Sequence, residues 1–238
     1  METEMINNNN TNIKNITCIS DIHHVVYINL EHRTDRKLHV EKQLYSVGLV
    51  NPTRFNAIKL PNGALGCSMS HLRCLKIAKE NNWPHVLLCE DDIEFLNPEL
   101  FIRQMNGFLQ THADKPWDVV LIAGNNMPPY KVEDEYSIQI YQCQTTTGYL
   151  VKQHYYDRLI NNIKYGIQQL IREPHNHRLY AIDKYWFHLQ RQDSWYLITP
   201  PTVIQREDYS DIEKRRTNYK KSMIDLDKLS YFRPTKAV

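Results

Sequence analysis

The tract Cys89-Glu90-Asp91-Asp92 directly follows a short apolar run, Val86-Leu87-Leu88. Three consecutive carboxylates repel one another, and a divalent cation with oxygen ligands is the usual physical reason to hold them together. In open α/β sheets ligands bind beyond the carboxyl ends of the strands, and these acids stand there if the run is a strand. An acidic turn or a helix cap uses the same residue types, so spacing alone leaves the metal and structural readings level.

The elements that position this tract can be read from hydrophobic periodicity. Val25 to Leu30 is a β-branched and aromatic run that predicts a buried strand, followed by a helix from Arg36 to Val47. Asp35 can cap that helix, Gly48 can end it, and Leu38, Leu44 and Val47 are available to the core. The unit recurs: Thr53 to Ile58 reads as a strand, and a turn containing Gly63 and Gly66 leads to a helix from Ser68 through Asn81. Val86 to Leu88 is the third strand, Pro98 opens a helix through Gln110, and Trp117 to Ile122 is the fourth strand. Such alternation predicts a mainly parallel central sheet flanked by helices. Beyond Gly124 comes a loop (Asn125, Asn126, Pro128, Pro129), then strand-like runs at Ile138 to Cys143 and Tyr149 to Val151 that fit an antiparallel edge. A helix through Ile163, a helical stretch at Asp183 to Gln190, a strand at Trp195 to Thr199 and a charged helix at Ile212 to Lys221 complete the expectation.

The 238 residues, 42% hydrophobic and 24% charged, are enough for one domain with a full core. Twenty-nine basic residues against 27 acidic ones leave no global field to recruit nucleic acid or a membrane surface. The five cysteines form an odd set without a CxxC pair, which suits a reducing compartment. Residues 1–22 read as a flexible polar tail with an asparagine run, and residues 23–238 as the folded domain. The absence of an apolar leader or a transmembrane segment gives a cytoplasmic expectation, under which the sequons at Asn9 and Asn15 are chance.

Three tracts occur in one order: Val26-Tyr27-Ile28-Asn29-Leu30-Glu31-His32-Arg33-Thr34-Asp35-Arg36, then Gly63-Ala64-Leu65-Gly66-Cys67-Ser68-Met69-Ser70-His71, then Leu88-Cys89-Glu90-Asp91-Asp92. Together they resemble glycosyltransferase family 25, which includes bacterial lipooligosaccharide galactosyltransferases and procollagen galactosyltransferases. The resemblance implies a GT-A type fold, a UDP-sugar donor, a manganese-like cation and inversion at the transferred sugar carbon. It places a DXD-like motif at the acidic tract, here written Glu-Asp-Asp, with Asp92 as first metal ligand and Asp91 as second. When bound, the cation would bridge the diphosphate and act as a Lewis acid toward the leaving UDP.

The first two tracts then acquire donor-side roles. Asn29, Leu30, Arg33 and Arg36 would follow the first strand, where an arginine fork fits phosphate oxygens, although either arginine could equally be a solvated surface residue. Gly66 would allow close backbone approach, and Ser70 and His71 would sit on the first turns of the next helix, near its positive end. Glu90 and Asp91 would complete the donor side, and Thr147 and Gly148, in a tract resembling the family segment beneath the donor sugar, would face the hexose. Thr-rich strands also arise from β propensity alone. An inverting transfer needs a base for the acceptor hydroxyl, and Asp183 matches an acidic position in similar proteins. Glu94 and Asp193 are rivals, and Lys184 offers Asp183 a structural ion pair instead.

Other features carry less. His175 and His177 lack a third ligand nearby, and Lys214, Arg215, Arg216, Lys220 and Lys221 read as a solvated face diluted by Asp211 and Glu213. The leading expectation is therefore transfer of galactose or glucose from a UDP-sugar to a glycan, glycoprotein or collagen-like hydroxylysine acceptor. The alternative is an inactive adaptor that binds a nucleotide sugar or carbohydrate. A dehydrogenase or phosphoryl-transfer enzyme ranks last, since neither glycine fingerprint follows the first strand.

Overall fold

The computed structural model describes residues 16–210 and 215–228. It begins with β1 (Val25–Asn29), α1 (Thr34–Ser46), β2 (Thr53–Asn56), α2 (Gly63–Glu80) and β3 (His85–Glu90). There follow β4 (Ile93–Phe95), α3 (Pro98–Thr111), β5 (Val119–Asn126), β6 (Tyr130–Val132), β7 (Ser137–Ile140), β8 (Cys143–Lys152) and α4 (Tyr156–Arg172). The remainder holds α5 (His177–Tyr180), α6 (Ile182–Tyr185), α7 (Phe187–Gln192), β9 (Trp195–Ile198), β10 (Val203–Gln205), β11 (Asp208–Ser210), β12 (Arg215–Thr217) and α8 (Lys220–Ile224).

Eight strands form the central sheet in the order β2-β1-β3-β8-β5-β9-β7-β6. β1 pairs in parallel with β2 and β3, and β5 pairs in parallel with β9, as strand-helix alternation requires. Antiparallel pairing occurs at the β7-β6 edge and also in the interior, where β8 runs against both β3 and β5. One apolar cluster unites Leu44, Tyr27, Phe101 and Phe108 on one side of the sheet, and another unites Leu75, Leu88, Tyr149 and Trp186. With helices covering it, β3 is buried at every residue before Glu90.

Several expectations change. Ile19 and Ile22, placed by sequence in the tail, are buried in the core, because a turn at Ile19–Asp21 folds them against it. The packed unit thus starts before residue 23, and residues 1–15, with the asparagines of both sequons, lie outside the described residues. Asp35 sits within the first turn of α1, whose cap residue is Arg33. Leu38 points to solvent at 69% exposure, whereas Leu44 and Val47 are buried. Gly48 does end that helix, at a positive φ of 80°. Gly63 and Gly66 lie inside α2, which Asn62 caps through its side chain at Leu65 N, 3.2 Å. The charged segment near the C-terminus is not one helix: Arg215–Thr217 is a strand, α8 starts at Lys220, and 212–214 lie outside the described residues.

His85, at the start of β3, is buried, and its Nε2 has no hydrogen-bond partner among the described residues. Burial, reinforced by His24 and His23, depresses its pKa to about 4. The unfolded chain protonates this histidine near its ordinary value and so binds more protons between the two pKa values. Acidification from pH 7 to 4 is therefore expected to remove up to about 3 kcal/mol of stability at this site. Denaturant midpoints at pH 7 and pH 4.5 check this: His85→Gln should flatten the difference, and an unchanged difference would exclude His85 as its source.

Candidate functional site

β3 delivers three carboxylates at its carboxyl end, and each has a different environment. Asp91 is buried, accepting from Asn29 Nδ2 at 2.7 Å through Oδ2 and from Arg36 Nη1 at 3.0 Å through Oδ1. Asp92 is also buried, and its Oδ2 accepts from Gln205 Nε2 at 2.9 Å and from Arg36 Nη1 at 3.4 Å. Its Oδ1 has no partner among the described residues. Burial raises the Asp91 pKa against the opposing pull of Arg36 and Asn29. Burial and then the charge of Glu90 bring Asp92 up to about 7.

Glu90 faces another set of groups. Its Oε1 accepts from Thr146 Oγ1 at 2.8 Å and lies 3.4 Å from His71 Nε2 and 3.6 Å from Cys67 Sγ. Burial pushes this carboxyl up, but His71, Thr146 and Cys67 together outweigh it and leave the pKa below the ordinary value. Cys67, His71 and Glu90 place one ligand atom each within 4.8 Å of one another. Burial, followed by the charges of Glu90 and Asp183, holds the Cys67 thiol well above its ordinary pKa.

The expected arginine pair is present but already engaged. Arg36 donates to Asp91, Asp92, Asp208 Oδ2 at 3.0 Å and the Tyr209 carbonyl at 2.8 Å. Arg33 joins Asp35 at 3.0 Å and Asp208 at 2.9 Å. Arg36 therefore ties α1 to the acidic tract and to β11, a role that a guanidinium fork between carboxylates performs well. Asn29 likewise acts on Asp91 and on the Arg33 carbonyl, 3.0 Å away, and accepts from Arg54 Nε at 3.0 Å.

These groups surround a cavity of about 370 Å³. Leu30, Arg33, Arg36, Ser70, His71, Glu90, Asp91 and Asp92 all line it, together with Gln205, Arg206 and Asp208 from the C-terminal part. Gly63, the first residue of α2, is also on its wall, so the positive end of that helix borders the space. Ser70 and His71 are not at that end, being more than a turn further along. The Ser70 hydroxyl accepts from Ile58 N at 2.9 Å and donates to the Gly66 carbonyl at 2.8 Å, which fastens the segment after β2 to the helix. At Gly66 a Cβ would stand 2.5 Å from the Ile58 carbonyl oxygen. The close approach that this glycine permits is to the protein's own backbone, and Gly66 does not line the cavity.

The threonine segment is offset from its expected position. Thr147 and Gly148 are sheet residues, Gly148 pairing with Cys89 and packed so tightly that a Cβ would meet Ile122 at 2.7 Å. Neither lines the cavity, and Thr146 is the residue whose hydroxyl reaches Glu90. Thr145, with φ 76°, donates its backbone N–H to Asp183 Oδ2 at 3.2 Å. Asp183 stands outside the cavity lining, yet it is close enough for the charge of Glu90 to help burial raise its pKa. Lys184 gives its ammonium to the Gln144 side chain, so the alternative of a structural ion pair with Asp183 is not what holds Asp183 in place. Of the rivals, Asp193 accepts from Arg158 and Tyr155, both at 2.6 Å, away from the cavity, and Glu94 sits in β4 opposite Ile204.

Sequence reasoning passed over Gln205, Asp208 and Cys67 as site residues, and Thr146 falls within the threonine tract but bonds Glu90. The first two come from elements far along the chain, but Cys67 stands four residues before His71, a spacing that puts both on one face of a helix. That signal was available.

Residues 56–173 match the family model described as glycosyltransferase family 25 (LPS biosynthesis protein). No curated protein matches the chain. Among solved structures, a glycosyltransferase involved in glycosylation of the major capsid of PBCV-1 superposes with a TM-score of 0.45 at 11% identity, covering 85% of this chain and 88% of that one. Mannose-1-phosphate geranyltransferase from Thermus thermophilus gives a TM-score of 0.41 at 10% identity over 77% and 74% of the two chains. Drosophila β-1,4-galactosyltransferase 7, in complex with manganese, UDP-Gal and xylobiose, gives 0.40 at 12% identity over 86% and 79%. Likenesses this distant bear on neither substrate nor metal. The family match covers just under half of the chain, and the fold that carries it is the mixed α/β sheet described above. The matched residues, 56–173, hold α2, β3 and the acidic tract. Among the described residues no helix is long and apolar enough to cross a membrane.

Proposed function

We propose that the chain moves a hexose, galactose or glucose, from a UDP-sugar to a carbohydrate or glycoprotein acceptor with inversion, assisted by a divalent cation of the manganese type. One observation supports the metal above the others. Asp92 Oδ1 is buried on the cavity wall without a donor among the described residues, an arrangement that is costly unless a cation or ordered water completes it. A hard cation with oxygen ligands fits that atom. Asp91 is the weaker second ligand, since Asn29 and Arg36 already occupy both of its oxygens. When bound, the cation supplies Lewis-acid assistance to departure of UDP.

The protein's own residues supply the remainder. Arg36 and Gln205 fix the Asp92 carboxylate so that Oδ1 stays turned away from them. The start of α2 at Gly63 contributes the positive helix end on which phosphate oxygens are favoured. Arg33, held by Asp35 and Asp208, adds positive charge to the same wall. Asp183, held by the Thr145 amide and with its pKa raised chiefly by burial, takes the acceptor hydroxyl proton as the new bond forms. Its place outside the cavity lining suits an acceptor approaching from beyond the donor.

Calorimetric titration of UDP with and without manganese tests the metal reading. UDP affinity should rise at least about tenfold with the ion, or about 1.4 kcal/mol. Equal affinity in both titrations would remove the metal bridge.

A further inference from the structure

Cys67, His71 and Glu90 have no settled part in the transfer outlined above, yet they form the most compact set of metal-ligating groups among the described residues. Cys67 and His71 are four apart on α2 and face the end of β3, where Glu90 points back at them. We propose that these three side chains bind a thiophilic divalent cation of the zinc type, with ligands distinct from Asp92.

The spacing from Glu90 to each of the other two ligands matches what such an ion needs, and all three ligand atoms lie within 4.8 Å of one another. Tetrahedral coordination at ordinary zinc bond lengths puts a sulfur–oxygen ligand pair roughly 3.5 Å apart and a nitrogen–oxygen pair roughly 3.3 Å apart. The observed separations are 3.6 Å for Cys67 Sγ to Glu90 Oε1 and 3.4 Å for His71 Nε2 to the same oxygen. A mixed sulfur, nitrogen and oxygen set suits zinc better than manganese, which favours oxygen ligands.

The surroundings support the ligands as well. His71 Nδ1 is 2.8 Å from the buried Tyr149 hydroxyl, whose oxygen can accept a hydrogen bond from Nδ1–H and so leave the Nε2 lone pair for the ion. The Tyr149 ring also stacks on the imidazole, centroids 5.6 Å apart, and fixes its plane. Thr146 donates to Glu90 at 2.8 Å and orients that carboxylate. All three ligands line the cavity, so a fourth coordination position would open onto it, as in zinc sites that keep one place for water or substrate. Binding releases the Cys67 thiol proton to solvent as the thiolate–metal bond forms.

The test uses the full chain freed of metal by a chelator and needs no sugar nucleotide, so it stands or falls apart from the transfer reaction. Zinc should bind at one equivalent with proton release, and cobalt in its place should give a thiolate charge-transfer band. Cys67→Ser should weaken zinc binding more than the roughly 10–100-fold that a supporting-residue change costs, and should abolish the band. Cys18→Ser, at the other incompletely buried cysteine, should change neither. Should Cys67→Ser fail to fold, alkylation of the wild-type chain followed by peptide mapping decides the matter, with zinc expected to protect Cys67. An unchanged zinc affinity and cobalt thiolate band in Cys67→Ser, or equal alkylation of Cys67 with and without zinc, would overturn the site.

Discussion

Asp92→Asn is expected to lower kcat/KM for metal-dependent transfer by roughly 10³-fold or more, the several kcal/mol that a lost Lewis-acid contact represents. The substitution keeps the shape of a buried side chain and leaves one amide oxygen to accept from Gln205 and Arg36, so folding should survive. What it removes is the negative charge beside the partnerless Oδ1. Asp91→Asn should act differently, because the Asp91 oxygens hold Asn29 and Arg36 and its loss loosens the wall. Steady-state rates over a manganese series check the difference. An Asp92→Asn enzyme with wild-type rate and metal response would take Asp92 out of the metal site.

The second large effect is expected at Asp183. Asp183→Asn should cost roughly 10²–10⁴-fold in kcat, the range for a positioned general base, while donor affinity stays near wild type. The amide still has an oxygen for the Thr145 N–H, so the strained residue at φ 76° keeps its anchor. A loss confined to donor KM would instead make Asp183 a support for the Thr145–Thr146 segment, which reaches Glu90.

The features legible in the sequence are those set by local pattern. Val25-Val26-Tyr27-Ile28 and Val86-Leu87-Leu88 are continuous apolar stretches, so their burial as sheet strands and the position of the acids after the second followed directly. The antiparallel interior strand β8 was harder, because Thr145–Gly148 interrupts its apolar pattern and only Tyr149 to Val151 reads as a strand. The β4-β10 and β11-β12 pairs are three residues per strand and carry no period to detect. That gap hid Gln205, which bonds Asp92, and Asp208, which bonds Arg36, each from more than a hundred residues away in sequence.

The arginines illustrate a different limit. Sequence places Arg33 and Arg36 near the site, as found, but it cannot say whether a guanidinium meets a ligand or the protein's own carboxylates. Asp208 decides that, and its partnership is fixed only by the folded chain. Gly66 is similar: a close backbone approach was legible, and its object, the Ile58 carbonyl, was not.

Both large predictions depend on turnover of the wild-type enzyme, and one measurement addresses that most directly. UDP release should be followed with UDP-galactose, UDP-glucose and UDP-N-acetylglucosamine, each with manganese and with chelator, since slow donor hydrolysis requires no acceptor. Release from UDP-galactose or UDP-glucose that stops with chelator is the predicted result. Release from none of the three donors, or release indifferent to chelator, would contradict it.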